Sequence, residues 1–90
     1  MKTSSFEQQA KLIQVEEFIK YLRQLKDNYA QLQKHFDNLC DELDHQPINE
    51  NYINQISFNL TIYISEMDLI NIKIKEISDI IKKIKIEISN

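Results

Sequence analysis

The sequence predicts an all-α fold: two long helices that pack as an antiparallel, coiled-coil-like hairpin across a short proline-containing loop. Three observations predict it. The 90 residues include no glycine and one proline, Pro47, near the middle. Before Pro47 the apolar residues Phe18, Leu22, Leu25, Tyr29, Leu32, Phe36, Leu39 and Leu43 recur at alternating steps of four and three. After it Ile53, Ile56, Leu60, Tyr63, Met67, Ile70, Ile74, Ile77, Ile81, Ile84 and Ile88 do the same. Such steps keep one stripe on one face of a helix, which is the repeat of a helix–helix seam.

Residues 1–5 read as a frayed end. Ser4 or Ser5 is positioned to cap the first helix, with Glu7 or Gln8 in its first turn. Helix 1 then covers about residues 6–44, rich in the good helix formers Gln, Glu, Lys, Leu and Ala. Its pattern slips at the start, where Leu12, Val15 and Phe18 lie three apart. A less regular arm is therefore expected over residues 6–17.

The loop falls at about residues 45–49. Pro47 disfavours helix at the residue before it, and Asn49 is an N-cap candidate for the next helix. So short a connection normally reverses the chain into a hairpin. Helix 2 covers about residues 50–88. Of the 16 isoleucines 14 follow Pro47, and runs such as Ile70-Asn71-Ile72-Lys73-Ile74 alternate as a strand would. A strand hairpin would need a turn residue between those runs, and none is present. The eleven-member ladder favours helix, with the last two turns the weakest part.

One domain, residues 1–90, is all this length supports. A two-helix hairpin of this size is marginal by itself, so a further copy or a partner is expected to cover apolar surface. Helix 2 indicates where. Phe58, Ile62, Leu69, Ile72, Ile80 and Ile86 lie largely off the main seam and form surface that one hairpin does not bury.

The net charge of −3 conceals a pattern. Residues 1–34 carry six basic and four acidic side chains; residues 35–72 carry seven acids and no Lys or Arg; residues 73–90 carry five Lys and three acids. An acidic middle between basic ends suits staggered self-association. The basic residues are too few and too scattered for nucleic acid. No stretch reaches the roughly 18 apolar residues of a membrane span. Met1-Lys2-Thr3-Ser4-Ser5 leads into charged helix rather than an apolar run, as expected of a chain made in the cytoplasm.

Catalytic chemistry is not expected. His35 and His45 have no metal-ligand spacing with Cys40, which sits beside Leu39 and reads as a small buried thiol. Without glycine there is no phosphate-cradling loop. No enzyme activity, metal or cofactor is expected.

Read outward from Pro47, the chain resembles the needle subunits of bacterial type III secretion systems. That family has two helices around a turn of the form Pro-x-Asn/Asp-Pro, and here the turn reads Pro47-Ile48-Asn49-Glu50 with 43 residues beyond Pro47. Tyr52-Ile53, Leu60, Tyr63, Lys75, Ile77, Asp79, Ile80 and Ile84 fall on similar family positions, as do Leu43, Phe36, Leu32 and Tyr29 before the turn. The likeness covers roughly residues 18–88. Glu50 departs from it by replacing the second proline, and the glycine and aromatic residues usual near needle N-termini are missing apart from Phe6.

The resemblance implies a subunit that polymerises into a hollow extracellular filament conducting unfolded effectors. It would be secreted without a cleaved signal, with secretion chaperones or other apparatus proteins as further partners. Lys75 would face the lumen, Asp79 would pair with Lys75 or Lys83, and Ile84 and Ile88 would pack between subunits. The self-assembly residues expected in all are thus Phe58, Ile62, Leu69, Ile72, Ile80, Ile84 and Ile88, about a turn at Pro47 and Asn49. The alternative is a small adaptor, chaperone or inhibitor that dimerises as a four-helix bundle and binds one protein partner.

Overall fold

A computed structural model describes residues 5–45 and 49–89. Helix α1 runs Ser5–His45 and α2 runs Glu50–Ser89, and they pack against each other as a hairpin. Gln46, Pro47 and Ile48, and with them the expected corner at Pro47, lie outside the described residues. The molecule is a rod of 68 × 15 × 13 Å with a radius of gyration of 20.3 Å. A compact domain of this length would have about 12 Å. Most of the side-chain surface is therefore left in solvent.

One seam holds the rod together. From Phe6 on, every residue of α1 that is not exposed lies on a single ladder, Gln8, Lys11, Val15, Phe18, Leu22, Leu25, Tyr29, Leu32, Phe36, Leu39 and Leu43, apart from Ile19 beside it. On α2 the ladder is the expected one, Ile53 to Ile88, with Tyr52 beside it. Val15, Leu25, Ile56, Ile77 and Ile84 are the buried core. No buried side chain among the described residues is polar or charged.

The start of α1 corrects the expected irregular arm. The helix is continuous from Ser5, and its ladder passes from Val15 to Lys11 and Gln8 rather than through Leu12, which is left 50% exposed. A search for apolar residues alone misses this, because a lysine stem covers a seam as a short aliphatic chain does. The Lys11 Nζ then reaches Glu87 Oε2 at 3.1 Å, joining the two termini. Cys40 also differs from expectation. It is exposed, one step off the ladder position of Leu39.

The described helix ends at the loop are capped. Asn49 Oδ1 accepts the Tyr52 N–H at 3.3 Å, and the Asn49 carbonyl accepts the Ile53 N–H at 2.9 Å, which is N-cap geometry for α2. His45 Nδ1 donates to the Asp41 carbonyl at 2.8 Å in the last turn of α1. The Tyr52 hydroxyl donates to Glu42 Oε2 at 2.9 Å and ties the first turn of α2 to the last of α1. That carboxylate raises the phenol's pKa above 10, first through the hydrogen bond, then by desolvation and charge.

Folding back also rearranges the charge. Among the described residues, 5–34 at +1 and 73–89 at +2 run toward the open end, while 35–45 and 49–72, together at −7, flank the loop. A three-part pattern in sequence becomes a two-pole rod in space.

Candidate self-association surface

The outer face of α2 carries a second ladder. Phe58, Ile62, Leu69 and Ile72 are 67%, 39%, 65% and 56% exposed. With Ser65 they continue the steps four, three, four and three. In a heptad these positions lie about 150° round the helix from the seam. The stripe is thus nearly opposite the face that holds α1. Past Ile72 the same ladder turns charged, at Glu76, Asp79 and Lys83, before Ile86.

The seven residues expected at the assembly surface separate into two groups. Phe58, Ile62, Leu69, Ile72 and Ile80 are exposed. Ile84 is 9% exposed and Ile88 is partly covered, because both are ladder residues of the hairpin seam. In this hairpin Ile84 and Ile88 therefore face α1. Lys75 is exposed, and among the described residues neither Lys75 nor Asp79 is in an ion pair.

Beside the stripe lies an open groove of about 570 Å³, lined by Tyr21, Leu25, Asn28, Gln31, Leu32 and His35 of α1 and Glu66, Leu69, Ile70 and Lys73 of α2. Leu69 belongs to both groove and stripe. The His35 and Tyr63 rings stack across the helices nearby, 5.9 Å apart at 15°. Reading the sequence helix by helix misses this groove, because the helix–helix register brings its two walls together. A shared heptad flank for Tyr21, Asn28 and His35 and for Glu66 and Lys73 is the signal that would have found it.

At the open end Phe6, Leu12 and Ile13 of α1 are exposed, as is Ile86 of α2. Among the described residues no group of His, Cys, Asp and Glu is placed to hold a metal ion. Nor, among the described residues, is any helix long and apolar enough to cross a membrane. The arrangement suits protein contact: a stiff rod, an apolar outer stripe and charged ends. No protein-family model, curated protein or solved structure matches the chain.

Proposed function

We propose that the protein is a non-enzymatic structural subunit that self-assembles through the outer face of α2. The observation that carries this reading is the stripe Phe58, Ile62, Leu69 and Ile72, left open on a hairpin whose seam is already filled. A monomer gains nothing from large apolar side chains aligned there. A neighbouring copy would remove them from water at roughly 25 cal/mol per Å² of apolar surface.

The resemblance to type III needle subunits supplies one form for the assembly, a hollow filament with Lys75 toward the lumen. A second reading is the closed, dimeric adaptor that uses its acidic end to bind one partner. The burial of Ile77 and Ile84 favours it, because the end of α2 is already committed to its own hairpin. Light scattering over a concentration series, with negative-stain microscopy of the concentrated protein, separates the two. Filaments are expected of the first reading and a fixed small oligomer of the second. Phe58→Glu combined with Leu69→Glu should give a monomer with unchanged helical circular dichroism. A wild-type chain that stays monomeric at every concentration refutes self-assembly.

A further inference from the structure

We infer that the copy covering the α2 stripe lies antiparallel to it, so that two hairpins pack back to back about a two-fold axis near Ser65. This rests on reading that stripe as a self-association surface, and adds its orientation and partner face.

Two features of the molecule carry the inference. The first is the symmetry of the stripe. Phe58 and Ile72 are its ends, Ile62 and Leu69 its inner members, and Ser65 its middle. Reversed about Ser65, the order of sizes repeats, large, large, small, large, large, with Ile62 and Leu69 one residue out of exact register. A self-complementary patch of this kind is what an isologous contact requires.

The second feature is charge. On α2, the helix that meets the neighbour, Glu50, Glu66 and Asp68 lie on the loop side, and Lys82, Lys83 and Lys85 lie toward the open end. A parallel neighbour in register would set acidic pole against acidic pole. It would also place Glu66, Asp68, Lys73 and Lys75 beside their own copies, like against like. An antiparallel neighbour brings each acidic pole alongside a basic one, and only Glu66 and Asp68, next to the axis, meet their mates.

The contact has a definite layering. Because the stripe lies nearly opposite the seam, the order across the pair is α1, α2, α2 of the second copy, α1 of the second copy. Each α2 becomes an inner layer and each α1 an outer one. A compact four-helix bundle would need the apolar stripe about a quarter-turn from the seam instead.

Single-cysteine variants test the orientation. In a Cys40→Ser background, Ser65→Cys should link to itself through a short bis-maleimide. A mixture of Asn51→Cys and Lys83→Cys should link to each other and not to themselves, since two copies of position 51 would lie about 42 Å apart along the rod. Asn51, Ser65 and Lys83 are exposed, so the hairpin tolerates these changes, checked by circular dichroism. Self-linking at Asn51→Cys overturns the antiparallel pair while leaving self-assembly intact, and would favour a polar filament. A monomer by light scattering with no cross-links overturns the orientation and the proposed self-assembly together.

Discussion

On the side that faces its partner, α1 carries the same kind of ladder as α2. On the side that faces away, the two helices differ. The outer face of α1 carries the exposed Phe6 and Ile13 near the open end, and from there on presents Glu16, Glu17, Lys20, Arg23, Gln24, Asp27, Gln31 and Lys34, all exposed and all polar. The outer face of α2 presents Phe58, Ile62, Leu69 and Ile72. A helix with one apolar stripe is built for the outside of an assembly, and a helix with two opposed stripes is built to lie between neighbours. Local helix formation is alike in both; what differs is how many layers each one is prepared to meet.

The largest effect should come from breaking what the helices share. Ile56→Ala removes a 3%-exposed side chain from α2, and Leu25→Ala a 6%-exposed one from α1. Each should cost about 2–5 kcal/mol in urea unfolding, a large part of the stability of so small a domain. Comparable losses on both helices would establish that the seam is symmetric; a much smaller loss on α1 would break the comparison.

A smaller effect sharpens it at the open end, where the seam of α1 is polar at Gln8 and Lys11 while that of α2 stays apolar through Ile88. Lys11→Leu gives up a partly exposed ion pair worth up to about 1 kcal/mol and gains buried methylene surface. A net stabilisation of about 0.5–1 kcal/mol is expected, read as a rise in thermal midpoint. A clear loss would mean that the bridge to Glu87 matters more than the ladder.

The smallest effect lies at the loop end. The raised pKa of Tyr52 means that folding favours the neutral phenol. Its contribution is fully present below pH 10 and is lost as pH rises through the folded-state value. Tyr52→Phe should therefore leave the acid and neutral range almost unchanged and remove a weak alkaline loss of stability. An unaltered alkaline limb in pH-dependent thermal melts would show that the Glu42 contact does not couple to folding.

The seam was readable because apolar residues repeat every three and four positions on both sides of a lone proline. The ladder broke from apolar type only at Gln8 and Lys11, and there the reading failed, placing an irregular arm over residues 6–17 where α1 is continuous. Cys40 was misjudged from being next to Leu39 in sequence, although neighbours in a helix point about 100° apart. Ile84 and Ile88 belong to the seam's own repeat, and only packing shows that the hairpin claims them first. The groove beside Leu69 and the two-pole charge depend on which residue of α1 stands beside which residue of α2. No side chain in the sequence announces that pairing.

The uniformity of the seam has a price. Among the described residues no buried polar side chain interrupts it, so rungs seven residues apart differ mainly in size, as Leu22, Tyr29 and Phe36 do. If the helices slid by one heptad, about 10 Å, most apolar layers would find equivalent partners. The Tyr52–Glu42 hydrogen bond at one end of the seam and the Lys11–Glu87 ion pair at the other fit only the observed alignment. A slide of one heptad would break both at once, and with them the stacking of His35 on Tyr63.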